Sequence, residues 1–263
     1  MQTYSASTVT LLPLDSPVVD ASLAGGKGDG LSRLIRGGFP VPAGFVIPTS
    51  AYGAFVAANG LASETTVGDG HTLRQRFEAG EIPAELADAI LAAYHALSGG
   101  PVAVRSSANA EDLPNASFAG QQDTYLNVVG DAGLLTAVRA CWTSLWNERA
   151  IAYRARQQID STQLGMAVVV QQMVAADAAG VLFTINPVTG NDAEIVINAT
   201  WGLGEALVSG RVTPDTIVVE KTSATIKQLT VGDKALMTVP ASNGTTETAV
   251  DPARRMQIGR AHV

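Results

Sequence analysis

The stretch VAVRSSANAEDLPNASFAGQQDTY, residues 102–125, joins two strand-like segments through a long loop of small and polar residues. Three apolar residues open the stretch, and Arg105 follows them directly. Most connections between neighbouring elements need only a few residues, so a loop of this length is expected to hold something. We expect Arg105 at the end of a largely buried strand, where a guanidinium group requires an anion or a carboxylate partner.

Two interpretations of this stretch remain open from the residues alone. Arg105 can bind an anionic ligand, or it can form a structural salt bridge with Glu111 or Asp112. The segment containing Gly120 and Thr124 can be a flap whose backbone amides close over phosphates, or it can be a plain hairpin turn.

The composition indicates a globular, acidic protein. Of 263 residues, 46% are hydrophobic and 16% are charged, and 17 basic against 24 acidic residues give a net charge of −7. This charge disfavours nucleic acid and membranes as partners, although a local cluster can still bind a phosphorylated small molecule. The chain starts without the features of a signal peptide, and its apolar runs are too short to cross a bilayer. We therefore expect a cytoplasmic protein.

The order of strand-like and helix-like segments favours an α+β fold with an antiparallel or mixed sheet. A long helical region is predicted over residues 133–159, with an apolar stripe of Leu134, Val138, Trp142 and Leu145. The glycines of SGGP, residues 98–101, favour a boundary between lobes. We expect a first lobe at residues 1–100 and a second, incomplete lobe at residues 101–257.

Lys27 stands among four glycines in AGGKGDGLSRL, residues 24–34, just ahead of a helical pattern. Glycines allow backbone amides to approach an anion, and both a helix N-terminus and a lysine favour phosphate. The segment is not a Walker A loop, because Ala21 replaces the first glycine and Gly28 stands where Ser or Thr would bind magnesium. The alternative is a glycine turn with a solvent-exposed lysine.

Two further segments suggest a site. In VVVQQMV, residues 168–174, strand alternation places Gln171 between apolar neighbours on one face, which suits the face and edge of a flat ring. A core strand with a satisfied glutamine is the alternative. In ATWGLGEALVSGRVTPD, residues 199–215, three glycines beginning with Gly202 lie close to Glu205, which indicates either a backbone requirement or a wide turn.

Other common chemistries lack the residues they need. The three histidines, His71, His95 and His262, lie far apart in the sequence, and one cysteine provides no zinc-binding spacing. There is no G-x-S-x-G segment for a serine nucleophile. We expect Cys141 to be a small buried residue on a helix.

Seven segments of the sequence occur in a characteristic order: GGKG, FPVPAGFVI, VAVRSSANAEDLPNASFAGQQDTYLNV, LWNERAIAYR, VVVQQMV, GVLFT and WGLGEALVSGRVTPD. Together they resemble the N-terminal nucleotide-binding domain of phosphoenolpyruvate synthases, pyruvate phosphate dikinases and rifampicin phosphotransferases. The resemblance covers roughly residues 20–221, and several long motifs in one order are a specific signal. It implies an ATP-grasp fold, in which two α+β lobes clasp ATP and magnesium.

The resemblance also implies roles for individual residues. Lys27 and Arg105 would bind the phosphates, with Arg105 as the catalytic residue, Gly120 and Thr124 would form the loop that covers them, and Gln171 would line the nucleotide pocket. Such groups position ATP and neutralise the charge of its phosphates, and they do not act as nucleophiles.

The implied reaction moves a phosphate from ATP to a histidine of a carrier domain in the parent chain. In a phosphoenolpyruvate synthase the phosphate then passes to pyruvate. The alternatives are a rifampicin phosphotransferase, where the acceptor is a hydroxyl group of the antibiotic, and a non-catalytic ATP-binding module.

The sequence departs from the family pattern after Lys221. An acidic segment resembling F-G-x-P-x-D-I-E-W, followed by Q-x-R-P, would supply the magnesium ligands, and neither is found, so no metal ligand is assigned. The last six residues, IGRAHV, resemble a translated sequencing adapter, so we expect residues 258–263 to be a non-native tail. We expect the chain to be a C-terminally truncated part of a longer phosphotransferase, inactive alone.

Overall fold

The computed structural model describes residues 9–62, 70–109, 123–148, 150–152 and 164–256. The chain divides into two compact units, with the division after Met173. The turn at residues 98–101, where the sequence suggests a lobe boundary, lies inside the first unit and connects a helix to a strand. The assignment of lobes to residues 1–100 and 101–257 stays a prediction.

The first unit contains a five-stranded sheet in which neighbouring strands are antiparallel. Its strands are β1 (Leu12–Pro13), β2 (Gly44–Ile47), β3 (Val102–Ala108), β4 (Thr124–Val128) and β5 (Met166–Gln172). They follow the order β1-β2-β5-β3-β4 across the sheet. The central β5 is a continuous apolar run up to its two glutamines, and this pattern suits a strand buried on both faces.

Alternate residues of β5 lie in two separate hydrophobic clusters, one on each face of the sheet. Val168 and Val170 belong to the larger cluster, whereas Ala167 and Val169 lie beneath helix α1 (Ala21–Arg36). The larger cluster is completed by α2 (Thr49–Ala58), α3 (Gly70–Ala79), α4 (Ala84–Ala96) and α5 (Asp131–Thr143). Of the helices described, none is long and apolar enough to cross a membrane.

The apolar stripe predicted from residue 133 onwards is confirmed as far as Leu145, because all four of its residues are buried in the larger cluster. The helix itself is shorter than predicted. It ends at Thr143, a 3-10 turn spans Ser144–Trp146, and Asn147 adopts an extended backbone with φ −72° and ψ 154°. The Asn147 carboxamide oxygen then accepts a hydrogen bond from the Ala150 amide at 2.7 Å, as an N-cap does, so Asn147 starts a new helical turn.

The second unit contains a four-stranded antiparallel sheet and a separate hairpin. This arrangement confirms the predicted α+β class and the preference for antiparallel sheets. The sheet runs in the order β6 (Ala178–Phe183), β7 (Glu194–Trp201), β8 (Asp215–Glu220) and β9 (Ile226–Thr230). The hairpin consists of β10 (Leu236–Pro240) and β11 (Thr245–Ala249), and a one-turn helix, α6, spans Glu205–Val208.

The glycine-rich segment after β7 has a backbone requirement at its first glycine. Gly202 has φ +68°, a conformation that favours glycine, and an added Cβ would overlap the carbonyl oxygen of Thr238. The next residue, Leu203, donates its amide to that same oxygen at 2.8 Å. Glycine at position 202 therefore lets the chain leave β7 in direct contact with β10.

Helix α1 is interrupted at Gly25, which has φ +65° and ψ 175° inside an otherwise helical segment. Asp20 caps the start of the helix, accepting hydrogen bonds from the Ser22 and Leu23 amides at 2.9 and 3.0 Å. The hydrogen bond from the Ser22 hydroxyl group, and then that from Leu23, lower the pKa of the Asp20 carboxyl group. A first helical turn therefore starts before the glycines, and Lys27 lies two residues after the interruption at Gly25, in the first turn of the longer helical part of α1 and not ahead of it.

We predict that Gly25→Ala destabilises the protein by at least about 2 kcal/mol. The backbone conformation at Gly25 is accessible essentially only to glycine, and an added Cβ would overlap the backbone carbonyl group of Ser107. Gly30→Ala is the matched control, because Gly30 lies in the same helix with no atom within 4 Å of an added Cβ. That control should gain roughly 0.5–1 kcal/mol from better helix propensity. Urea unfolding measures both changes, and equal stabilities would contradict the prediction.

Candidate functional site

Three of the residues proposed for a ligand site lie on the face of the five-stranded sheet that carries α1. Residues directly opposite each other on antiparallel strands share a face. Arg105 is opposite Val169 on β5 and Thr124 on β4, and Gln171 is opposite Ala103. Since Ala103 and Arg105 are two residues apart on β3, strand alternation places Arg105, Thr124 and Gln171 on one face.

Arg105 lies in the middle of β3 and not at its end, which corrects the expectation from the sequence. Ser106, Ser107 and Ala108 continue the strand by pairing with Val168, Ala167 and Met166 of β5. Serines have weak strand preference, and their pairing with a long apolar partner strand overrides it. Arg105 therefore lies on a strand that is paired with β4 on one side and β5 on the other, and it is half-buried on the α1 face.

The hydroxyl group of Ser107 joins β3 to the interruption in α1. Its oxygen accepts hydrogen bonds from the amides of Lys27 and Gly28 at 3.1 and 3.2 Å, and it donates to the Ala24 carbonyl oxygen at 2.7 Å. Two amides of the glycine segment, which the sequence suggests for an anion, are thus engaged by Ser107. The backbone of Lys27 is consequently held beside β3 at Ser107, which is two residues from Arg105.

Ser107 was missed by reasoning from the sequence. It is fully buried, and it connects positions about eighty residues apart in the chain. A signal was present, since Ser107 is two residues from Arg105 and must share its face if the strand continues. A pair of serines after an apolar run is, however, more typical of a strand end than of a strand interior.

Gln171 is buried, with 7% of its surface exposed, and its side-chain nitrogen donates to the Pro42 carbonyl oxygen at 3.1 Å. This hydrogen bond is the partner that the alternative of a satisfied core glutamine requires. The carboxamide oxygen can still accept a hydrogen bond, so a role at the edge of a ligand ring stays a prediction.

Thr124 is exposed and is the first residue of β4. Its neighbour Asp123 is held in place, because its carbonyl oxygen accepts hydrogen bonds from both the amide and the hydroxyl group of Ser106, at 3.2 and 2.9 Å. Gly120 lies outside the described residues, as do Glu111 and Asp112, the proposed salt-bridge partners of Arg105. The flap and the salt bridge therefore both stay predictions.

Cys141 is confirmed as a buried helical residue, located on α5. Burial raises the pKa of the Cys141 thiol, so the group stays protonated and is a poor nucleophile. Across the described part of the chain, no three His, Cys, Asp or Glu side chains lie together as a metal ion would require. No residue is assigned as a ligand of the magnesium ion that the family resemblance implies, and no chemical step is assigned to the metal.

The fold and this face define an α+β protein with a half-buried arginine and a buried glutamine on neighbouring strands, and with the backbone of Lys27 in α1 held beside them. Over residues 21–261, the chain matches the family described as pyruvate phosphate dikinase, AMP/ATP-binding domain, and it belongs to that family.

Named relatives support the same family assignment. The chain is 43% identical to a probable phosphoenolpyruvate synthase of Methanothermobacter thermautotrophicus, covering 90% of this chain and 37% of the relative. It is 43% identical to the phosphoenolpyruvate synthase of Aeropyrum pernix, covering 87% and 31%. It is also 43% identical to the rifampicin phosphotransferase of Streptomyces sviceus, covering 93% and 30%. The chain thus spans about a third of the length of these relatives, and the resemblance found in the sequence is confirmed.

We predict that Ser107→Ala lowers the free energy of unfolding by about 2–3 kcal/mol, because it leaves two backbone amides and a carbonyl group without their buried partner. Ser32→Ala is the control, since Ser32 is fully buried on α1 and its hydroxyl group has no hydrogen-bond partner in the part of the chain described. Removing that hydroxyl group should be neutral or slightly stabilising. Thermal and urea unfolding compare the two variants. A loss of stability in Ser32→Ala as large as that in Ser107→Ala would contradict the assignment.

Proposed function

We propose that this chain binds ATP on the α1 face of the five-stranded sheet, with the phosphates at Lys27 and Arg105 and the base towards Gln171. The observation that carries the proposal is that three positions of β3, each two residues from the next, lie beside or belong to the proposed ligand residues. Ser107 accepts a hydrogen bond from the Lys27 amide, Arg105 is itself the second position, and Ala103 lies opposite Gln171. At 3.4 Å per residue, these three positions span about 14 Å along one face.

The two cations suit different parts of a polyphosphate. The guanidinium group of Arg105 is planar and permanently charged, and its several donors match the oxygens of one phosphate. The ammonium group of Lys27 acts as a mobile point charge on a flexible stem. Thr124, together with Gly120, would close over the phosphates from the neighbouring strand. These groups would position the phosphates and offset their charge, with Arg105 supplying the charge stabilisation that matters in transfer.

We further propose that the fold is an ATP-grasp and that the parent enzyme transfers a phosphate from ATP to a histidine of its carrier domain. The name phosphoenolpyruvate synthase, carried by several relatives, supports pyruvate as the next acceptor. Rifampicin is a second candidate acceptor, because a rifampicin phosphotransferase is equally similar at 43% identity. A lone, buried cysteine is consistent with work in the reducing cytoplasm.

The first test is ATP binding. We predict that calorimetric titration detects weak ATP binding and no binding of pyruvate or rifampicin by this chain. Arg105→Ala should weaken ATP binding by about 1–3 kcal/mol, the cost of losing hydrogen bonds to a charged group. Its melting temperature should change little.

Arg74→Ala is the matched control, because it removes the same charge from α3 on the other side of the sheet. It should leave ATP affinity unchanged. If Arg105→Ala instead lowers the melting temperature and leaves ATP affinity intact, the arginine is a structural ion-pair residue and the proposed phosphate site is wrong.

The second test concerns catalysis. A magnesium ion bound with ATP would offset the charge that develops on the phosphates, and one or two protein carboxylates would hold it. The family's acidic segment that would supply them is not found in this sequence. We therefore predict that the chain, mixed with magnesium-ATP and the carrier domain of a full-length relative, forms no phosphohistidine. The full-length relative is the positive control. Phosphohistidine formed at a rate close to that control would overturn the prediction.

A further inference from the structure

The second unit presents an aliphatic face on its four-stranded sheet. Register places Leu182, Ile197, Ile217 and Leu229 in one row across all four strands, with Ile195 and Val219 in the adjoining row. Leu182 and Leu229, on the two edge strands, are 55% and 49% exposed, and the four central residues are only partly buried. We call these six residues the aliphatic face. They form a contiguous patch, and patches of this kind mark interaction sites more often than chance.

The same side of the sheet is already covered at its other end. Trp201, Ala199 and Asp215 continue the rows of the aliphatic face along β7 and β8. The carboxylate of Asp215 accepts hydrogen bonds from the Gly232 amide at 2.9 Å and from the fully buried Lys234 ammonium group. Among the described residues, the chain after β9 therefore folds back over the Asp215 end of this side, and the aliphatic end stays partly exposed.

The described chain also ends on this side. The guanidinium group of Arg254 lies 4.5 Å from the ring centre of Trp201, and the indole nitrogen of Trp201 donates to the Arg254 carbonyl oxygen at 3.0 Å. Trp201 is in line with Ile197 and Ile195 on β7. The backbone at Arg254 is thus anchored at Trp201, on the same side of β7 as Ile197 and Ile195 of the aliphatic face.

The opposite side of the sheet has a different character. There Lys227 forms ion pairs with Glu194 at 2.6 Å and Glu220 at 3.6 Å, and Asn186 donates to Glu194 at 2.7 Å. The hydrogen bond from Lys227 is the main cause of the lowered pKa of Glu194. Glu194 and Glu220 are directly opposite each other in the register. That side thus combines ion-paired charges with the apolar row Phe183, Val196 and Val218, whereas the two rows of the aliphatic face contain no charged side chain.

We propose that the aliphatic face is the docking surface for the polypeptide that follows the matched region in full-length relatives, which packs an apolar helix or strand layer on it. These relatives have roughly two-thirds of their length outside the match, since this chain covers 37% and 31% of two of them. The anchored path at Arg254 delivers such a segment to this side. Docking there buries the aliphatic rows, which stabilises the arrangement through the hydrophobic effect.

The test compares thiol labelling at two neighbouring positions. Leu182→Cys places a thiol on the aliphatic face, and Phe183→Cys places one on the opposite side of the same edge strand, where Phe183 is 38% exposed. Leu229→Cys repeats the first measurement on the other edge strand. The native Cys141 is buried and serves as a background common to all variants. Each variant is labelled with a maleimide in the 263-residue protein and in the same chain extended by the following residues of the Methanothermobacter relative.

The extension should slow labelling at Leu182→Cys and Leu229→Cys by at least about tenfold, because a covered thiol reacts only through local opening. Labelling at Phe183→Cys should not change. Unchanged rates at both face positions, or equal slowing at all three, would overturn the proposal. Slow labelling in the 263-residue protein that speeds up on dilution would assign the face to a second copy, and slowing by added ATP would assign it to a ligand. Either result also refutes the proposal, and the comparison of labelling rates with and without the extension does not require ATP to bind.

Discussion

The contact between Gly25 and the backbone of Ser107 is the constraint on which the first unit depends. The two residues approach so closely that no side chain fits at position 25, and the Ser107 hydroxyl group then satisfies three backbone groups of the interrupted helix. This contact determines where α1 crosses the sheet, and thereby which residues of the α1 face it covers. On this face Arg105, opposite the buried Val169, is half-buried, and Thr124 beside it on β4 is exposed.

The same contact places the backbone of Lys27 beside the strand that carries Arg105. Hydrogen bonds to a buried hydroxyl group position the Lys27 backbone from β3 itself, and β3 also carries Arg105. The positions of the Lys27 backbone and of Arg105 therefore both depend on β3, a strand that is paired on both sides. A site built on such a strand is held more rigidly than one built on two independent loops.

Much of the fold follows from local pattern. The apolar run of β5, the alternating strands of the second unit and the stripe Leu134, Val138 and Trp142 were each predictable from periodicity. The features that were not predictable depend on tertiary pairing. β3 extends past Arg105 because β5 offers partners for two serines, and α1 begins before its glycines because Asp20 caps it. The Ser107 contact joins residues too far apart in sequence for any local pattern to indicate.

The site could be predicted in part for the same reason. Family motifs implied Lys27, Arg105, Thr124 and Gln171 as ligand residues, which stays a prediction, and the register shows that the last three share a face. The motifs did not reveal that Gln171 is bonded to Pro42, because that bond crosses between segments more than a hundred residues apart. Equal identity, 43%, to a phosphoenolpyruvate synthase and a rifampicin phosphotransferase indicates that the sequence of this chain does not distinguish the two names.

The strand order β1-β2-β5-β3-β4 has a consequence for synthesis on the ribosome. The central strand is the last of the five to be made, and β2 and β3 each pair with it along their length. Until residue 172 has emerged, the growing chain holds two apolar strands whose main partner does not yet exist. Such non-local pairing is slow and leaves edges exposed, so nascent chains of this unit depend on the vectorial order of translation more than a helical domain would. Synthesis of β5, the most buried strand of the unit, therefore ends the period in which β2 and β3 lack their main partner.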